Sequence, residues 1–153
     1  MIFELPDETA TTALAAGLQR ALPAELNGLA ILLQGELGAG KSTLARALLR
    51  AMGHGGAVPS PTYTLVEPYQ VSAGNVYHID LYRITSEDEL TFLGWDELDD
   101  GLRLVEWPER VPGLSKVADL LVSMSYAGAG RRAELAALSD NGRQIMQRLG
   151  TTS

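Results

Sequence analysis

The chain has 153 residues, 46% of them hydrophobic and 20% charged, which suits one soluble globular domain with a real core. It has no cysteine and only two histidines, His54 and His78, so disulfides and thiolate metal sites are excluded and little remains for a zinc site. A net charge of −7 argues against a nucleic-acid surface of its own, since phosphate backbones demand clustered Lys and Arg.

In chain order, Ile2 to Leu5 reads as a short strand. The N-terminal residues carry neither a basic segment nor a long apolar stretch, so no signal peptide is expected; nothing approaches a membrane span, and a cytoplasmic protein follows. Asp7 can cap a helix that runs to about Leu22, where Pro23 follows. The apolar run Leu29 to Gln34 predicts a buried strand, and Ser42 to Met52 a helix stopped by Gly53. Thr62 to Val71, rich in Tyr, Thr and Val, predicts a strand that Pro68 places near an edge or a bulge. A turn around Ala73-Gly74-Asn75 joins it to Val76–Arg83 as a hairpin. Ser86-Glu87-Asp88-Glu89 predicts a capping box, with Ser86 as N-cap and Glu89 at N3, opening a short helix that Gly94 ends. Leu102 to Trp107 reads as a strand stopped by Pro108. Asp119 to Tyr126 and Arg131 to Leu138 form a hairpin about Gly128-Ala129-Gly130, and Ser139 or Asp140 caps a last helix with Ile145, Met146 and Leu149 on one face. The whole is a single α/β domain with a mixed β-sheet flanked by helices, because several strands are joined too tightly for parallel crossovers.

The chemistry concentrates in Gly35-Glu36-Leu37-Gly38-Ala39-Gly40-Lys41-Ser42, a complete G-x-x-x-x-G-K-[ST] string between the buried strand and the helix. In a P-loop NTPase, glycines let successive backbone N–H groups converge on a polyphosphate, and the helix N-terminus adds its positive end. Lys41 would reach the β- and γ-phosphates and the Ser42 hydroxyl would sit on Mg²⁺. Of 12 basic residues only Lys41 and Lys116 are lysines, so a lysine inside the loop points to a need for its compact ammonium. A second carboxylate must complete the metal shell and position water. Glu106, at the C-terminal end of an apolar strand, and Asp80, in mid-strand on one face with His78 and Tyr82, compete for these roles. For Asp80 a solvated face and a lined site fit the pattern equally. Arg83 and Arg131 are candidates to touch phosphate or the adenine side. Tyr63, Tyr69, Tyr77 and Trp107 read as packing residues with a polar handle, and His54 is given no role. Seven carboxylates and no basic residue lie between Glu87 and Asp100, a solvated face that could also dock a basic partner surface.

Four motifs in order resemble the signature of the TsaE (YjeE) family: Gly35 to Thr43, then Ser60-Pro61-Thr62-Tyr63-Thr64-Leu65, then His78-Ile79-Asp80-Leu81-Tyr82-Arg83, then Glu106-Trp107-Pro108. Leu93-Gly94 and Gly130-Arg131 fit the same pattern, and the resemblance spans about Leu5 to Leu149. It implies a small bacterial ATPase required for the threonylcarbamoyladenosine modification of tRNA, acting with TsaD, which performs the transfer, and TsaB. It implies that ATP binding and hydrolysis reset that complex between turnovers, with tRNA met only through the complex. By position, Ser42 and Glu106 would hold Mg²⁺, Leu37, Gly38, Ala39, Gly40, Lys41, Ser42 and Thr43 would wrap the phosphates, and Thr11 and Arg131 would contact the nucleotide. Asp80 matches an acidic position implicated in hydrolysis, and Pro61-Thr62-Tyr63 resembles a switch-like loop. Three departures are mild: Ser42 stands where threonine is commoner, Glu36 where the loop usually has Asp, and Ala15 where the first helix often has glycine.

No Asn-Lys-x-Asp guanine motif accompanies Lys116, so ATP is favoured over GTP. Weak turnover alone with stimulation by partners is the expected behaviour. Two other readings stay open: a small-molecule kinase, for which no separate lid segment is found, and a nucleotide-gated binding module in which hydrolysis is incidental.

Overall fold

The computed structural model describes residues 1–151. Among them seven strands form one mixed sheet: β1 (Ile2–Leu5), β2 (Ala30–Gln34), β3 (Val66–Val71), β4 (Gly74–Asp80), β5 (Gly101–Glu106), β6 (Leu120–Ala127) and β7 (Gly130–Ala137). Their spatial order is β1-β7-β6-β2-β5-β4-β3. The four central strands β6, β2, β5 and β4 are parallel, and antiparallel β7, β1 and β3 extend the two sides. Around the sheet lie α1 (Glu8–Ala21), α2 (Lys41–Ala51), α3 (Asp88–Phe92) and α4 (Asp140–Thr151). This is the α/β architecture with a mixed sheet that the sequence predicts.

The core follows from the period of two along β2. Ile31 and Leu33 face one side with Leu18, Leu44, Leu48 and Leu149; Ala30 and Leu32 face the other with Ile79, Val105 and Leu114. A strand covered on both faces reads as an unbroken apolar run, and β2 sits mid-sheet for that reason. No helix among the described residues is long and apolar enough to cross a membrane.

The local signals mostly act as read. Asp7 caps α1 by accepting from the Ala10 N–H at 2.9 Å. Of the two candidate caps for α4, Ser139 does the work: its Oγ accepts from the Gly142 N–H at 3.0 Å and donates to Asp119 Oδ1 at 2.6 Å. Pro68 lies on β3, an edge strand, as its missing N–H requires.

Four expectations need correcting. The strand expected from Thr62 starts at Val66, because Leu65 turns left-handed at φ 69° and its N–H closes on Pro61 O at 2.7 Å. The hairpin turn is tighter than expected, since Val71 already faces Gly74 in the ladder. The capping box at Ser86 does not form. Thr85 Oγ1 takes the Glu89 carboxylate at 2.5 Å instead, Ile84 is anchored in the core one turn earlier, and α3 begins at Asp88 without a side-chain cap. Finally, β4 ends at Asp80, so Tyr82 leaves the face it was expected to share and packs at a tilt against Trp107, ring centroids 4.8 Å apart.

Candidate functional site

The chain leaves β2 at Gln34 and enters α2 at Lys41 through the glycine loop, at the C-terminal ends of the parallel strands where open α/β sheets place their ligands. Gly35, at φ 145°, passes so close to β6 that a Cβ would lie 2.4 Å from Met124 O. Gly40, at φ 106°, stands at the N-cap of α2 and offers no side chain to the first amides of that helix. Among the described residues the N–H groups of Gly38, Gly40, Lys41, Ser42 and Thr43 have no protein acceptor. All five residues border a cleft of about 330 Å³, whose opposite wall is Thr62, Asp80, Glu106 and Trp107. A row of unsatisfied donors at a helix start is an anion cradle. Lys41 is folded back from it. Its Nζ donates to Gly35 O and to Glu36 O (3.2 Å), and lies 4.0 Å from the centroid of the Trp107 ring. Burial pushes the Lys41 ammonium below its ordinary range, while Glu106, Glu109, Asp80 and Glu36 pull it back up.

Two carboxylates face this cradle from neighbouring strands. Glu106, 3% exposed at the end of β5, accepts from Ser42 Oγ at 2.9 and 3.2 Å and pairs with His78 Nε2 at 2.5 Å. Asp80, at the end of β4, accepts from the Tyr82 N–H at 2.8 Å and from Thr62 Oγ1 at 3.3 Å. Burial pushes its carboxyl up, and the Glu106 charge adds to that shift against the hydrogen bonds from Tyr82 and Thr62. Ser42 and Glu106, the pair that the family resemblance names together, thus lie in hydrogen-bond contact. A hydroxyl and one carboxylate beside free amides suit a magnesium ion that takes its remaining ligands from phosphate and water. Among the described residues no cluster of three or more His, Cys, Asp or Glu could hold a metal by itself.

Residues 5–133 match the model of the family described as threonylcarbamoyl adenosine biosynthesis protein TsaE. The chain belongs to the TsaE family. It is 43% identical over 118 residues to the tRNA threonylcarbamoyladenosine biosynthesis protein TsaE of Haemophilus influenzae, covering 76% of this chain and 75% of that one. It is 43% identical over 119 residues to that of Synechocystis (74% of each chain) and 34% identical over 133 residues to that of Nostoc (84% and 80%). Its fold is shared with the crystal structure of Bacillus subtilis YdiB, at a TM-score of 0.79 and 24% identity over 99% of this chain and 94% of that chain. Biosynthesis of threonylcarbamoyladenosine on tRNA is therefore the process in which this TsaE-family chain has its role.

A second cleft of about 220 Å³ opens on the other side of the loop, lined by Asp7, Thr11, Gly38, Thr43 and Arg131 among others. Thr11 is buried on α1, and Arg131 reaches in from β7, with its Nε donating to Gly38 O at 3.1 Å. Both residues that the TsaE resemblance placed near a nucleotide thus meet beside the loop. Arg83 does not join them: its guanidinium lies over the Tyr63 ring at 5.2 Å, and it borders neither cleft. Tyr63 is 83% exposed and is not the packing residue expected, whereas Tyr69 is buried edge-on against His54. Of the seven carboxylates between Glu87 and Asp100, six are exposed and Glu89 is half-buried, the solvated face that the sequence suggests.

Reading the sequence missed the roles of His78, Thr62 and Tyr126 in this site. His78 carried a signal, since the period of two put it on the face of Asp80, but a polar residue in mid-strand gives no sign of its partner. Tyr126, whose hydroxyl donates to Leu37 O at 3.0 Å, is 89 residues from that carbonyl in sequence, and no local pattern connects them.

Proposed function

We propose that the chain binds ATP with Mg²⁺ and hydrolyses it, weakly alone and faster with partners, in support of tRNA threonylcarbamoyladenosine formation on a TsaD–TsaB complex. The reading is carried by the five free N–H groups of Gly38, Gly40, Lys41, Ser42 and Thr43 on one cleft, opposite two buried carboxylates. Leu37 to Thr43 wrap the phosphates, and Thr11 and Arg131 lie on the side of the loop open to the nucleoside. The missing guanine motif favours adenine. The acidic stretch from Glu87 to Asp100 offers a surface for a basic partner.

Each residue then has a task in the reaction. Ser42 and Glu106 would hold Mg²⁺, which when bound would supply charge neutralisation on the phosphoryl oxygens. Lys41 exchanges the Gly35 and Glu36 carbonyls for phosphate oxygens, where its charge counters that of the transition state. Asp80 orients the attacking water and receives its proton as the new oxygen–phosphorus bond forms and the bond to the bridging oxygen of ADP breaks. Its raised pKa makes it a better proton acceptor than an ordinary aspartate.

Steady-state hydrolysis by the purified chain, alone and with a purified TsaD–TsaB pair, tests the proposal. Slow turnover that the pair stimulates supports it. Turnover indifferent to the pair leaves the phosphate chemistry and removes the partner role, and failure to bind ATP removes both.

A further inference from the structure

The β6–β7 hairpin ends in a cross-strand pair, Tyr126 opposite Arg131, that lies against the glycine loop. The Arg131 guanidinium stacks on the Tyr126 ring at 4.2 Å. Each side chain of this stack holds one loop carbonyl: Tyr126 OH donates to Leu37 O at 3.0 Å, and Arg131 Nε to Gly38 O at 3.1 Å. The contact is close. Gly38 sits at φ 81°, and a Cβ there would fall 2.4 Å from the Tyr126 oxygen.

A trans peptide points its C=O and the next N–H in opposite directions, and the chain has no cis peptide among the described residues. Holding Leu37 O against the hairpin therefore turns the Gly38 N–H away from it. That N–H is one of the five without an acceptor, and Gly38 borders the main cleft. Holding Gly38 O likewise turns the Ala39 N–H away from the hairpin, where it closes on Glu36 O at 3.0 Å. With φ positive at Gly35, Gly38 and Gly40, the loop could adopt many conformations, and ordering it only on ligand binding would cost affinity.

The geometry points to Tyr126 as a positioning residue for phosphate binding, one that acts through the Leu37 carbonyl and holds the Gly38 N–H ready for a phosphate oxygen. The inference rests on the nucleotide-binding reading above. Tyr126 touches no phosphate itself; it pre-arranges a donor, and Arg131 supports it from the facing strand.

Tyr126→Phe removes the hydroxyl, keeps the stacked ring and alters a half-exposed position, so folding is not at stake. Calorimetric titration with ADP and Mg²⁺ is run on wild type and variant, together with hydrogen exchange at the Ala39 amide, which is bonded to Glu36 O within the loop, and the melting temperature without ligand. The expected result is an unchanged melting temperature, faster exchange at Ala39 in the unliganded protein as the loop loosens, and ADP affinity lowered roughly three- to tenfold, the span of one hydrogen bond. Wild-type affinity in Tyr126→Phe would overturn the role of Tyr126 while leaving nucleotide binding intact. A weakened affinity with a matching drop in melting temperature would show a merely structural side chain and overturn it too. Absence of ADP binding by the wild type would overturn the nucleotide reading itself.

Discussion

Asp80 and Glu106 stand opposite each other at the ends of two neighbouring parallel strands, and each carboxylate is turned to a different set of partners. Glu106 faces the Ser42 hydroxyl and His78; Asp80 faces Thr62 and the Tyr82 N–H. Burial raises the pKa of the Asp80 carboxyl, and the neighbouring Glu106 charge adds to that shift. A group whose folded-state pKa exceeds its unfolded value stabilises the fold when protonated, and that contribution is lost as pH rises through the folded value. Asp80→Asn is therefore expected to melt at a higher temperature than wild type at pH 8. Its advantage should fade as pH falls through the raised value toward about 3.9, the ordinary value for Asp. Melting curves across pH check this. In the same variant nucleotide affinity should persist while hydrolysis slows.

Lys41 has a different balance. Nothing in its folded-back position needs a charge as strongly as a polyphosphate would. Lys41→Ala is expected to lower ATP turnover at least about a hundredfold, the scale of removing one preorganised charge from a transition state. Lys41→Arg should not rescue it, because a planar fork cannot replace a compact ammonium between phosphate oxygens. Steady-state rates for the two variants decide the point.

Ser42→Ala removes the hydroxyl that holds the Glu106 carboxylate at 2.9 Å and would hold the metal. The Mg²⁺ concentration for half-maximal turnover is expected to rise about tenfold or more. Ser42→Thr should keep wild-type metal dependence, since either hydroxyl can ligate magnesium.

Far from this site, the Asp119 side chain accepts from the Ala30 N–H at 2.9 Å and from Ser139 Oγ at 2.6 Å, tying the start of β2 to the cap of α4. Gly142 packs on the Asp119 backbone so closely that a Cβ would lie 1.8 Å from its carbonyl oxygen. Gly142→Ala is expected to destabilise the fold by about 1–3 kcal/mol through overpacking. ADP affinity of the folded protein should not change. Urea unfolding and calorimetry on the same variant separate the two effects.

Much of this molecule was written locally. The glycine loop needs only a buried strand before it and a helix after it, and all three are contiguous from Leu29 to Met52. The caps at Asp7 and Ser139, the edge position of Pro68 and the alternation along β2 likewise depend on neighbours a few residues away, so the fold class could be read from them. The capping box at Ser86 failed for the converse reason: burial of Ile84 set where the chain turned, and that burial is a tertiary event. Pairing was also beyond the sequence. Ser42 meets Glu106 across 64 residues, His78 meets Glu106 across 28, and Tyr126 meets Leu37 across 89. The residue types able to donate, accept or carry charge were visible from composition and motif. Which donor met which acceptor was decided by the order and register of the strands, because only the assembled sheet brings distant strand ends within hydrogen-bonding range of one loop.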